Sequence, residues 1–144
     1  MPESKKWMLV KAGLPTAQSI ELIEASGDEG FEAFNKLIGA DTGEVVSLCG
    51  IFRTIKENGD IAALLNGCVS LDLWCDGEGL YKEGNEINRI ASGMSQTHIV
   101  GNVVLMLSDA DGNSLPLGMG LIRVLTTAIT HADERFFARM KANG

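Results

Sequence analysis

Residues 68–107 read CVSLDLWCDGEGLYKEGNEINRIASGMSQTHIVGNVVLML, two apolar runs separated by a polar stretch rich in glycine and carboxylate. From Cys68 to Cys75 polar and apolar residues nearly alternate, which is the period-2 pattern of a strand. Ile99 to Leu107 is almost continuously apolar, broken at Gly101 and Asn102, and this predicts a strand buried on both faces at the centre of a sheet. The connection between them, residues 75–93, is longer than a compact domain normally uses without purpose. The fold and the candidate site are therefore read from the same forty residues.

On the N-terminal side, Trp7-Met8-Leu9-Val10 is a short apolar run ended by Gly13-Leu14-Pro15, a combination that turns the chain. Ser19 to Glu24 alternates again, so the two runs predict a hairpin. In DEGFEAFNKLIG, Phe31, Phe34, Leu37 and Ile38 share one face of a helix, Asp28 and Glu29 stand in its first turn, and Gly39 stops it. Glu44 to Cys49 begins another strand. Residues 50–67 support two readings: Asn58-Gly59 has hairpin-turn chemistry, and Asp60 to Leu65 has that of a capped helical turn.

On the C-terminal side, Ser114 as cap and Pro116 in the first turn predict a long helix over 114–143, with Gly144 beyond its end. Leu121, Leu125, Ala128, Ala132, Phe136 and Met140 line one face of it. Two arrangements fit, packing on the sheet of its own chain or joining a second subunit, and we expect part of the stripe to make a homo-oligomer. The whole reads as one α+β domain: a mainly antiparallel sheet, a short helix after the second strand, and a long C-terminal helix.

The chain has 144 residues, enough to bury a core without disulfide or metal staples. Its formal net charge of −7 disfavours broad binding to a phosphate backbone. Cys49, Cys68 and Cys75 form no C-x-x-C pair and are expected to be reduced and mostly buried, in a cytoplasmic setting. The first residues carry an apolar run too short for a signal-peptide core, and no stretch has the ~18 apolar residues of a membrane span.

The motifs of nucleophilic, zinc-dependent and phosphate-loop enzymes are missing, and His98 and His131 fall in different elements. Asp109-Ala110-Asp111-Gly112-Asn113 begins like a calcium loop, but its glycine comes early and the closing glutamate is missing, so it reads as a turn. Asp72, Asp76, Glu78, Glu83 and Glu86 gather carboxylates that would hold magnesium, imitate the charge of DNA, or keep a loop solvated. Beside them, Tyr81 and Lys82 followed by Asn85, Asn88 and Arg89 form the candidate binding set. Tyrosine and arginine anchor recognition, asparagine offers donor and acceptor from one rigid amide, and Lys82 and Arg89 are the local cations for an anionic ligand. The asparagines serve equally as hydrogen-bonding supports of their own backbone.

Taken together, WMLVKAGLP, SIELIEASGDEGFEAFNKLIG, LDLWCDGEGLYKEGNEINRIASG and HIVGNVVLML resemble an uncharacterised family of small bacteriophage and mobile-element proteins. The resemblance covers about residues 7–107 and departs at 50–67 and at the C-terminal helix. It implies a small α+β fold and a phage context, and it assigns no activity. The expectation is a non-catalytic accessory or counter-defence protein that sequesters or inhibits a host factor, either a host protein or a small nucleotide messenger, with no cofactor, metal or membrane. Two competing readings are a metal-dependent phosphoesterase using the 72–86 carboxylates and an acidic DNA mimic.

Overall fold

The computed structural model describes residues 5–26, 29–79 and 84–130. Three strands form the centre of the sheet: β1 (Lys5–Val10), β4 (Ser70–Asp76) and β5 (Val103–Ser108). Each is apolar on both sides. Met8, Val10, Leu71, Leu73, Val103, Leu105 and Leu107 pack into one core, while Trp7, Leu9, Trp74, Val104 and Met106 pack into another on the opposite face. The near-continuous apolar runs thus follow from a sheet covered on both faces, although every pairing is antiparallel.

The strand order is β2-β1-β5-β4-β3, with β2 (Ile20–Glu24) and β3 (Gly43–Ser47) at the edges, so the run from Ile99 supplies the predicted central strand. The predicted hairpin is β1–β2, in register from Lys6↔Glu24 to Val10↔Ile20. Its turn contains a single helical turn, α1 (Thr16–Ser19), that alternation alone does not reveal. Cross-strand pairs Lys6–Glu24 at 3.2 Å and Lys11–Glu21 at 3.0 Å decorate this hairpin. Such exposed pairs contribute under about 1 kcal/mol each, whereas a fully buried Leu or Met contributes about 1.5–3 kcal/mol, so the two cores hold the sheet together.

One face carries α2 (Phe31–Ile38), which follows the second strand and ends at Gly39 as predicted, though it starts after the acidic residues rather than on them. Phe34 and Ile38 are buried, Trp7 meets Phe34 edge-on at 4.7 Å, and Phe31 stacks on Trp74 at 4.8 Å. Phe31 is nonetheless 60% exposed, because it lies on the outer side of Trp74. The Trp74 indole N–H donates to Asn35 Oδ1 at 2.8 Å.

Below this face Glu29 accepts the Ser26 hydroxyl at 2.5 Å and the Trp7 indole N–H at 2.6 Å. The Ser26 bond first and the Trp7 bond second hold the Glu29 carboxyl down at about 2, from an ordinary 4.5. A folded-state pKa below the unfolded one gives stability that is complete above 4.5 and is lost as pH falls toward 2. Urea midpoints measured across that window should fall less steeply for Glu29→Gln than for the wild type.

The opposite face carries three helices. The 50–67 segment is helical: α3 (Cys49–Lys56) buries Ile55, and a 3-10 turn (Ala62–Leu65) buries Leu65. Asn58-Gly59 is the link between them, and the chain makes no hairpin there. A seven-residue helix, α4 (Arg89–Ser95), buries Ile90, Ala91 and Met94. A fifth helix, α5, occupies residues 119–130.

The predicted start of the C-terminal helix at Ser114 is corrected. Ser114–Leu115 (β6) pairs with β5 and Leu117–Gly118 (β7) pairs with β1, so this segment fills the gap where β1 and β5 separate. Strand hydrogen bonds take the residues that offered capping chemistry, and Pro116 marks the switch of partner. Leu121, Ile122, Leu125 and Ile129 of α5 pack into the chain's own core. Leu121 and Leu125 of the predicted oligomer stripe are thereby spent internally, Ala128 is half-buried, and Ala132, Phe136 and Met140 lie outside the described residues.

All three cysteines are free and mostly buried, as expected: Cys68 and Cys75 are buried, and Cys49 is exposed on α3. Burial and then Glu44 push the Cys75 thiol up to about 11. The calcium-like run is a turn between β5 and β6, in which Asp109 Oδ1 accepts from Asp111 N at 3.0 Å and Asn113 N at 2.9 Å. Among the described residues no helix is long and apolar enough to cross a membrane.

Candidate functional site

The carboxylates that crowd together in sequence separate in space. Asp72 points from the middle of β4 and is 3% exposed, accepting hydroxyls from Ser47 and Ser70 at 2.9 Å and from Ser108 at 2.5 Å. Asp76 turns back on its own chain, its Oδ1 accepting from Glu78 N at 2.9 Å. Glu86 lies against Gly13, in the turn after β1, where a β-carbon would collide with its carboxylate. Glu83 lies outside the described residues, and among the described ones no group of three or more His, Cys, Asp or Glu is placed to hold a metal ion.

Asn88 is the centre of the connection. It is 1% exposed and its amide is fully engaged: Nδ2 donates to Val10 O at 3.0 Å and to Gly101 O at 2.9 Å, while Oδ1 caps α4 by accepting from Ala91 N at 3.0 Å. Its backbone N–H donates to Ile99 O at 2.8 Å, Gly101 N–H donates to Glu86 O at 2.8 Å, and Ile87 bridges Val100. Residues 86–88 therefore pair with 99–101 and enclose α4. Ser92 Oγ closes the unit by accepting from Ile99 N at 2.9 Å and donating to Ile99 O at 3.2 Å. What reads as a long polar loop is, in its second half, a small helix clamped between two paired segments and tied to the end of β1.

Each residue of the predicted binding set takes a definite place. Asn88 is a structural support with no amide atom left for a ligand. Asn85 is exposed and donates to Gly79 O at 3.2 Å, holding the turn after β4. Arg89 is half-buried at the first position of α4. Tyr81 and Lys82 lie outside the described residues. Asn88, Arg89 and Ile90 meet Lys11, Gly13 and Leu14 across a crevice of only about 10 Å³, room for no more than about one water. Leu14 and Ile87, exposed at 38% and 37%, stand on the two segments that this contact joins.

The larger concavities flank α3, in the segment that sequence reading left open. On one side, Phe52, Arg53 and Lys56 of α3, with Val69 and Leu71, line a cleft of about 560 Å³. On the other, Ile51, Ile55, Met94, Val124 and Ala128 line a groove of about 930 Å³. The signal for the first was present as an aromatic and two cations at positions 52, 53 and 56, but it needs a helix to place them on one side. His98 is exposed and away from both lists of lining residues, and His131 lies outside the described residues.

Comparison of the chain with protein-family models, with characterised proteins and with solved structures finds no match.

Proposed function

We propose that the protein is a small non-catalytic binding protein, of the phage accessory type that its sequence resembles, which captures a host polypeptide on the surface where residues 84–89 meet the turn after β1. The observation that carries this reading is the Asn88 clamp, which holds that surface in one shape before any partner arrives. A preformed surface avoids the ordering cost that a mobile loop pays on binding. The crevice beneath it is too small for a nucleotide, which favours a polypeptide at this place. Leu14 and Ile87 supply apolar area there, and Lys11 and Arg89 supply charge.

Neither competing reading gains a comparable observation. Among the described residues Asp72, Asp76 and Glu86 each engage a different part of the chain, so they lend no support to a shared carboxylate site of the kind a metal-dependent phosphoesterase would use. Asp72, turned inward, adds nothing to an anionic face for mimicry of DNA.

The test is co-purification from host cells with tagged wild type, Arg89→Ala and Leu14→Asp, followed by mass spectrometry. A host polypeptide should be retained by the wild type and reduced at least about tenfold in both variants, as expected when a central anchor of an interface is removed. Retention that is unchanged in both variants, or turnover of a phosphate ester by the wild type, would contradict the reading.

A further inference from the structure

We propose that the outer edge of β3 is a dimerisation surface, on which a second copy of this chain pairs its own β3 antiparallel about Val45, so that the sheet continues from one copy into the other. This surface is separate from that around Arg89, and the proposal does not rest on the capture of a polypeptide there.

The phase of the β3–β4 ladder decides which backbone groups are left for such pairing. Gly77 N–H donates to Thr42 O at 3.1 Å and Leu48 N–H donates to Leu71 O at 2.8 Å, at the two ends of a register that runs without a bulge from Gly43↔Asp76 to Ser47↔Asp72. Hydrogen-bonded and non-hydrogen-bonded pairs alternate along an antiparallel ladder, so Thr42, Glu44, Val46 and Leu48 turn their backbone groups to β4. Gly43, Val45 and Ser47 turn theirs outward, and among the described residues no other element meets them with a backbone bond. Edge strands are normally blunted by charges, proline or a bulge. The opposite edge, β2, carries Glu21 and Glu24, each paired with a lysine. On β3 the only charge is Glu44.

The side chains beside this edge are apolar. Val45 is 50% exposed and stands opposite Trp74 in the register, so the two share one side of the sheet. The Trp74 ring lies across Gly43, where a β-carbon would overlap it, and Phe31, itself largely exposed, stacks on that ring. Trp74, Phe31 and Val45 thus form an apolar margin that ends at the open edge, and association removes such area from water.

The strand's own register selects a second copy as the occupant. With Val45 opposite the partner's Val45, Gly43 meets the partner's Ser47 and Ser47 meets the partner's Gly43, so every outward backbone group is used and each pair exchanges two hydrogen bonds. Glu44 then stands opposite the partner's Val46. A slip that moves the two-fold axis to Glu44 sets like charges directly opposite one another and carries Ser47 past the end of the partner's strand. A slip to Val46 carries Gly43 past it. The edge is therefore best matched to itself in one register, as an isologous interface requires.

The test is sedimentation equilibrium and amide NMR of the intact protein over a concentration series. The wild type should pass from monomer to dimer, and the N–H groups of Gly43, Val45 and Ser47 should gain protection from exchange as the dimer forms. In a mixture of isotope-labelled and unlabelled protein, the α-protons of Glu44 and Val46 should show contact between copies, as in any non-hydrogen-bonded antiparallel pair. Val45→Pro removes the central N–H, and Val45→Lys sets two ammonium groups opposite each other. Val45 is exposed and its N–H faces away from β4, so both variants should keep the monomer's circular dichroism while weakening dimerisation at least about tenfold. A wild type that stays monomeric at every concentration would overturn the proposal. So would a dimer that both variants leave unchanged, which would move the contact to another surface. Protection of the three amides that appears only in a complex with a captured host polypeptide would overturn it too, and would make this edge a binding site for a foreign strand.

Discussion

Asn88→Ala is expected to lower the stability of the protein by about 3–5 kcal/mol. The side chain makes three hydrogen bonds at a position that is 1% exposed, so alanine takes this partner from the buried carbonyl of Val10, the half-buried carbonyl of Gly101 and the Ala91 N–H. Each stranded group costs roughly 1–3 kcal/mol, and loss of a helix cap alone costs about 1 kcal/mol. Equilibrium urea unfolding measures the sum. Asn88→Asp separates its components, because a carboxylate keeps the cap on Ala91 but cannot donate to the two carbonyls. If bridging dominates, aspartate is as damaging as alanine; a variant as stable as the wild type would mean that the cap is all that matters.

Gly43→Ala is expected to cost about 2–3 kcal/mol. A methyl group at Gly43 falls inside the van der Waals envelope of the Trp74 indole. The ring has no direction in which to yield: Phe31 stacks on it, Phe34 tilts against it at 6.3 Å, and its N–H is fixed to Asn35. Overpacking against a constrained ring forces displacement of the strand or of α2. Urea unfolding gives the loss, and tryptophan near-ultraviolet dichroism should change with it. A loss under about 0.5 kcal/mol with an unaltered spectrum would show that this corner of the sheet is looser than the packing implies.

The strands were legible because their signal is burial itself. Trp7 to Val10 and Ile99 to Leu107 are apolar on consecutive positions because helices cover both faces, and Ser19 to Glu24 alternates because it is an edge. The α3 segment was not legible, since Asn58-Gly59 carries the same turn chemistry whether it joins two strands or two helical pieces, and only the packing of Ile55 and Leu65 decides. The start at Ser114 misled for a related reason: serine and proline fit a helix cap, but the gap between diverging β1 and β5 is satisfied by backbone pairing, which leaves no trace in side-chain pattern.

At the candidate site, the sequence drew attention to Asn88 for its amide, and the amide is indeed what matters. It serves the chain and leaves nothing for a ligand, because its partners are carbonyls of Val10 and Gly101 that lie far from it in the first case and close in the second. An asparagine followed by Ile90, Ala91 and Met94 at helical spacing was a cap signal, masked by the glycines and carboxylates before it. The carboxylate cluster failed for the converse reason: Asp72 and Asp76 share a face of β4, but Asp72 is enclosed by the hydroxyls of Ser47, Ser70 and Ser108, Asp76 binds the turn after the strand, and Glu86 lies against the turn after β1.

The central claim, that residues 84–95 present a fixed surface before any partner binds, is tested most directly by amide hydrogen exchange of the free protein at Asn88, Ala91, Ser92 and Gly101. These N–H groups donate within the clamp, and they should exchange only through openings costing a large share of the global unfolding free energy. Exchange at those four sites as fast as in an unstructured peptide would contradict the account.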